Sequence, residues 1–326
     1  MPGSLYVLLG DAYDKGARVH TNSWGASVPS ILYEAASSRV LVDEFVYTQN
    51  DLVVLFAAGN DGVDATSQPG SMMRPDQPDV LVDLAQVGAE AVAKSIITVG
   101  ACESQRTDVA WNLWGKWRTK FPVALLEQEH FANSRDDMAA FSSRDPAMAD
   151  KGDTKHLRTK PHLVAPGGAI LSTKSRHPTV HSDYTPGHGL PTRRSTPSAA
   201  LVKALLISAA VPLATEWKHP YFAAGFSRVD LKRSIVPSDT LAITNASGFL
   251  EGPLLRQGET NTIAVIIPAT TTACTFKVTL VWTDFPGKLL VNDLDLVVKA
   301  TDEERHGNIK PGSNDSDRVN NVEQVI

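Results

Sequence analysis

Two runs of uninterrupted apolar residues, LVVLFAAG (52–59) and IITVGA (96–101), constrain the fold of this 326-residue chain more than any other feature. A strand with one wet face alternates apolar and polar side chains. A run without alternation needs cover on both faces, which parallel strands receive from the helices that connect them. ARVHTNSWG (17–25) reads as a shorter strand running into a Gly turn. Pro29 and Ser30 then open a helix in which Ile31, Ala35, Val42 and Phe45 share one face at a spacing near roughly 3.6 residues. VDLAQVGAEAVAKS (82–95) reads as a helix, and MAAFSS (138–143) and HLVAPGGAILSTKS (162–175) as short extended pieces with Gly and Pro breaks. TPSAALVKALLISAA (196–210) is a helix with Thr196 as N-cap and Pro197 in its first turn, apolar nearly all round and therefore buried. The fold class this implies is α/β, with a doubly wound parallel sheet.

The character changes near residue 236. DTLAITNASGFLEG, NTIAVIIPATTTACTFKVTLVWTDFPG and KLLVNDLDLVVKA are rich in Val, Ile and Thr, with turn residues at short intervals. That pattern predicts a truncated antiparallel β-sandwich of jelly-roll type over 237–326, cut at NNVEQVI inside what reads as a strand, where an unpaired edge is expected. The α/β part, 1–236, carries two polar interruptions, a Gly/Pro/Asp/Met-rich loop at 60–83 and an irregular insertion at 103–137 with Trp111, Trp114 and Trp117 as packing anchors.

A net charge of −5, with 31 basic and 36 acidic residues intermixed, gives no nucleic-acid footprint. No apolar run reaches the roughly 18 residues of a membrane span. Cys102 and Cys274 make no disulfide framework. The start, MPGSLYVLLGDAYDKGARV, has no basic n-region and does not read as a signal peptide, so the chain carries no address to a compartment.

Open parallel sheets bind ligands beyond the carboxyl ends of their strands, where Gly25 and Gly59-Asn60 fall. Glycine lets another backbone approach closely, and an Asn there can aim an amide N–H at a carbonyl oxygen gaining charge. The plain alternative for Asn60 is a turn residue bonded to local backbone. HTNSWGA, FAAGNDG, SIITVGA, AAFSSRDP, KPHLVAPGGAILST, PSAALVKALLISAA, GFSRVDLKRSI, TLVWTDFPG, LVNDLDLVV and NNVEQV occur in that order. Together they resemble the subtilisin-like serine proteases (peptidase S8), in the branch with a C-terminal β-sandwich. The resemblance implies peptide-bond hydrolysis without a cofactor. It implies a substrate rim at Ser23, Trp24 and Gly25, a facing wall at Ala57, Ala58 and Gly59, and Asn60 as oxyanion-hole donor, all acting on an extended peptide or protein. Complete members of the family are often secreted.

The same resemblance implies a serine, a histidine and an aspartate acting together. The family sets them in Asp-Ser/Thr-Gly, His-Gly-Thr-His and Gly-Thr-Ser-Met-Ala-Thr-Pro segments, and none of these occurs in the chain. Where the nucleophile segment belongs the sequence runs HSDYTPGHGLPTRRSTPSAALVKALL. Setting PTRRSTP (191–197) on the motif places Arg193 at the nucleophile; setting 196–210 on the family's next helix deletes the nucleophile helix near Tyr184–Pro186. The second fits better, because PSAALVKALL runs on into GFSRVDLKRSI. A substitute triad from His181, Asp183, His188 and Ser195 would sit on a Gly/Pro/Thr loop too loose for catalysis. The expectation is therefore an incomplete or degenerate, inactive copy of an endopeptidase that keeps its substrate side, with a peptide-binding pseudo-protease as the alternative. Losing the central helices is expected to leave buried faces of 52–59 and 196–210 short of partners. Asp293 and Asp295, with Asn292 beside them, offer oxygens for a structural calcium; NDSD (314–317) with NNVE (320–323) is a weaker second cluster.

Overall fold

The computed structural model describes residues 4–25, 38–64, 82, 87–106, 108, 113, 120–144, 147–148, 157–170, 197–213, 224–234, 248–266, 275–287, 289–300, 303–310, 312–313 and 315–326. The elements in chain order are α1 (Leu5–Asp14), β1 (Val19–Asn22), α2 (Ser38–Thr48), β2 (Val53–Ala57), β3 (Ile97–Cys102), α3 (Ala124–Glu127), β4 (Ala147–Met148), β5 (Leu157–Arg158), β6 (Leu163–Pro166), α4 (Ala199–Ser208), α5 (Leu231–Ser234), β7 (Val278–Val281), β8 (Val297–Ala300), β9 (Glu303–His306) and β10 (Val322–Val325).

The apolar runs form the sheet as expected. β1, β2, β3 and β6 lie parallel in that order, and β2, the most apolar, is an inner strand. Its buried residues Val53, Val54 and Phe56 share one core with Leu9 of α1, with Val42, Phe45 and Val46 of α2, with Ala199 and Ile207 of α4, and with Val322 of β10. The β2 face does have partners, contrary to the sequence expectation, whereas α4 buries only Ala199, Lys203 and Ile207 and leaves Leu201, Leu205 and Leu206 partly exposed rather than buried nearly all round. Helix α1, which the sequence reading missed, supplies part of that cover. Its Tyr6 and Tyr13 pack edge-on against Phe45, with ring centroids 5.0 and 6.1 Å apart.

Several local expectations are corrected. Within 82–95 the described residues form only a three-residue 3₁₀ turn, Glu90–Val92. The N–H groups a helix would use are taken elsewhere: Gly88 donates to Ala58 O, and Lys94 and Ser95 donate to the Asp43 carboxylate. MAAFSS is a turn rather than a strand, closed by Ser142 N–H on Ala139 O, with one isolated bridge from Met138 to Cys102. The N-cap of α4 is Ser198, whose hydroxyl accepts from Leu201 N–H. The described part of the 103–137 insertion is anchored by buried Phe121, Leu126 and Phe131. Its three tryptophans, the helix start at Pro29–Ala35, the nucleophile region 184–196 and the four candidates for a substitute triad lie outside the described residues.

The C-terminal part is antiparallel where it is paired, β7 with β10 and β8 with β9. These small antiparallel sheets give the expected sandwich only weak support; residues 250–266 are exposed and lie in no strand, with Leu254 fully exposed. What docks this part is a buried polar cluster at the amino end of β3. The Lys94 ammonium donates to Asp284, Phe285 O and Leu289 O, and Lys203 Nζ reaches Lys94 O at 2.9 Å. Lys160 Nζ bonds Ala93 O and Thr98 Oγ1, and the Thr98 N–H donates to His162 Nδ1. Burial holds His162 well below the usual histidine range, with the Lys160, Lys203 and Arg158 charges adding to the effect. The carboxyl end of β3 is covered by the loop around 131–142, with Glu103 N–H on Asp137 O, whereas Ser23–Gly25 after β1 are exposed.

Candidate functional site

Parallel pairing of β1 with β2 sets Asn22 opposite Phe56. The next residues of each strand, Ser23–Gly25 and Ala57–Asn60, therefore emerge side by side at one edge. Ser23, Trp24, Gly25, Ala57 and Asn60 are exposed, whereas Ala58 is buried with its N–H on Val99 O. Trp24 stands edge-on to Phe56 at 5.5 Å and keeps about half its surface open. β1 is the outer strand of this sheet among the described residues.

Asn22, just below the rim, ties the two strands together. Its amide donates to Leu55 O and to His20 Nδ1, both at 3.1 Å, and its Oδ1 is buried without a partner among the described residues. An accepting Nδ1 requires neutral His20, and burial lowers that imidazole's pKa. At Gly25 a side chain would meet the Glu90 carboxylate at 3.4 Å.

Gly59 adopts φ of 118°, where L side chains are strained, and a Cβ there would lie 2.7 Å from Ser143 Oγ. The turn it opens leaves the Asn60 carboxamide in solvent, with no hydrogen-bond partner among the described residues. The local-backbone alternative for Asn60 is thus not what the side chain does. Lys120, from the 103–137 insertion, places its ammonium 3.4 Å from Asn60 O. This geometry can do two things chemically: pair main chain with main chain along β1, and offer an amide N–H where the two strand ends meet. Sequence reasoning singled out Ser23–Gly25, Ala57–Gly59 and Asn60, which the fold brings near one another; it did not single out Asn22, Lys120 or the contact of Ser143 with the Asn60 turn. Asn22 and Ser143 fall within HTNSWGA and AAFSSRDP, but nothing in their spacing marks the bond of Asn22 to Leu55 of β2 or those of Ser143 to Gly59 and Asp61.

Asp293 and Asp295 are brought together, though around a guanidinium. Arg318 bonds Asp293 and lies 3.5 Å from Asp295. Asn292 is used through its main chain, its N–H on Asp284 and its carbonyl accepting from Trp282. In the second acidic segment Asp317 accepts from Asn308 and Asn320, and Asn321 donates to Trp282 O. Among the described residues no group of three or more His, Cys, Asp or Glu could hold a metal ion. No helix among them is long and apolar enough to cross a membrane.

The fold defines an α/β domain whose described part centres on a four-stranded parallel sheet. The chain belongs to the subtilase family, whose model matches residues 6–249. It is similar to two serine protease/ABC transporter B family proteins of Dictyostelium discoideum. It is 27% identical to tagD over 256 residues, covering 66% of this chain and 12% of that protein. It is 23% identical to tagA over an alignment of 411 residues, covering 99% of this chain and 22% of that protein. The chain thus spans a minor part of the length of these curated relatives. Among solved structures it is similar to the prenylagaramide maturation protease PagA, with a TM-score of 0.39 at 14% identity over 71% of this chain and 65% of that one. It is also similar to the PatG macrocyclase in complex with peptide, at 0.37 and 14% over 71% and 54% of the two chains.

Proposed function

We propose that this subtilase chain holds an extended peptide between the edge of β1 and the Gly59–Asn60 turn, and does not cleave it with its own residues. The observation that carries the reading is the Asn22–Phe56 register, which brings the Ser23–Gly25 rim beside Ala57–Asn60. Edge pairing supplies main-chain hydrogen bonds, and alternate side chains supply selectivity. The free Asn60 amide adds a donor for the peptide carbonyl or a terminal carboxylate. The absence of the family's three triad segments from the 326 residues supports the second half of the proposal.

A peptide-binding pseudo-protease and a degenerate copy of an endopeptidase share the lack of turnover and part on binding. The retained, exposed rim favours the first. Fluorescein-labelled hexapeptides, titrated in anisotropy against the purified chain and then weighed by mass spectrometry, separate the cases. Micromolar binding of intact peptide, lost on Gly25→Val, is the expected result. Cleaved peptide overturns the absence of turnover, and no binding by any peptide overturns the holding role. The family's structural calcium, assigned from sequence to Asp293 and Asp295, forms no part of the proposal, since an ion there would have to displace Arg318.

A further inference from the structure

We infer that Ser143 is the positioning residue for Asn60 and that Arg144 fixes Ser143; the inference rests on the reading of Asn60 as a donor to bound peptide. Ser143 brackets Asn60 from both sides. Its backbone N–H donates to Gly59 O at 3.1 Å, and its hydroxyl accepts from Asp61 N–H at 3.2 Å. One step further on, Gly62 N–H donates to Phe141 O at 3.0 Å. The two loops touch through backbone, since a Cβ on Gly62 would fall 2.1 Å from Ala140 O. The main chain on either side of Asn60 is therefore fixed while its carboxamide stays in solvent.

The bracket is itself anchored. Ser142 accepts Ala101 N–H of β3 on its hydroxyl at 3.0 Å. The Arg144 guanidinium, wholly buried, donates to Ala139 O, Ala140 O and Ser142 O, each at 3.0 Å. A buried charge is tolerated only when its donors are bonded, and here the acceptors are the carbonyls of the loop that shapes the Asn60 turn. The route runs from β3 through Ser142 and Ser143 to the Gly59–Asp61 backbone. An amide donor is useful to a ligand only when it is held to within about half an ångström. Among the described residues the Asn60 carboxamide has no hydrogen bond of its own, and its main chain takes one from Lys120 on its carbonyl; Ser143 adds the hold through the neighbouring residues.

The test compares N-acetylated hexapeptides ending in Ala, Leu or Phe as the free carboxylate and as the carboxamide. A charge-assisted bond from Asn60 makes the carboxylate form bind about tenfold more tightly. Asn60→Ala erases that preference. Ser143→Ala erases it too while leaving carboxamide binding through the rim, and Ser143→Cys restores part of it. Backbone ¹⁵N relaxation at Asn60 is read in the same samples without peptide, and Ser143→Ala lowers its order parameter from about 0.85 to below about 0.6. A folded Ser143→Ala that keeps the preference and the rigid Asn60 overturns the inference. If wild-type chain binds no hexapeptide, the holding role falls, and the relaxation data alone decide the bracket. If Ser143→Ala does not fold, exchange of the Asp61 amide in wild type decides: slow exchange supports the bracket, and exchange at the free-peptide rate overturns it.

Discussion

Lys94 Nζ and Asp284 Oδ2 lie 2.5 Å apart, and neither side chain is accessible to solvent. The pair joins the approach to β3 with a residue 190 positions further along the chain. Asp284 is used fully, its other contacts being the N–H groups of Val291 and Asn292.

Removing one partner of such a pair strands a buried charge, at about 3–5 kcal/mol. Asp284→Ala is therefore expected to destabilise the whole chain by that amount and to release the C-terminal strands. Replacing both residues with Met and Leu costs far less. Urea unfolding followed by Trp282 fluorescence checks both, and a small loss in Asp284→Ala would show that the pair does not tie the parts together.

Two buried groups give stability opposite slopes with pH. Burial brings Lys203 down to about 7, so between there and its unfolded value the unfolded chain binds the extra proton and stability rises with pH. Burial pushes the Glu323 carboxyl up to about 8, with its backbone bond from Leu296 opposing the shift. The folded chain then keeps a proton that the unfolded chain loses, and stability falls as pH rises from about 4.5 to 8. Lys203→Met is expected to stabilise at pH 6 by on the order of 1–3 kcal/mol and to remove the rise above neutrality. Glu323→Gln is expected to stabilise at pH 9 and to flatten the fall. Urea midpoints at pH 5, 7 and 9 measure both, and unchanged slopes would contradict the burial of these groups.

Gly59 and Gly62 are held to glycine for different reasons, one by its φ of 118°, the other by the Ala140 carbonyl. Gly59→Ala is expected to cost about 1–3 kcal/mol and to abolish peptide binding. Gly62→Ala is expected to cost more, because the obstructing atoms are backbone. Thermal unfolding with a peptide titration on each variant checks the order.

The Arg318 contacts with Asp293 and Asp295 are partly open to solvent, with Arg318 61% exposed. Arg318→Ala is expected to change stability by less than about 1 kcal/mol. Adding calcium or a chelator to the wild-type chain is expected to leave Tm unchanged. A Tm that climbs with calcium would mean that an ion replaces the guanidinium.

How far the sequence led depended on the range of the forces involved. The sheet was legible because burial on both faces removes alternation, as LVVLFAAG and IITVGA show. Glycine at the end of β2 marked the Asn60 turn for a similar local reason, since Gly59 adopts φ of 118° there. The failures came where distant partners captured local groups. Asp43 takes the N–H groups of Lys94 and Ser95, so among the described residues of 82–95 only one short turn, Glu90–Val92, forms. Arg144 folds MAAFSS into a turn by binding its carbonyls. Neither partner can be found from residue spacing, because each contact depends on the finished fold.

The most direct measurement of the central claim is anisotropy of labelled hexapeptides with the purified chain, followed by intact mass analysis of the same mixture. The account predicts micromolar binding that depends on Gly25 and Asn60, with every peptide recovered whole. Peptide cut at an internal bond, or binding that survives both substitutions unchanged, would contradict it.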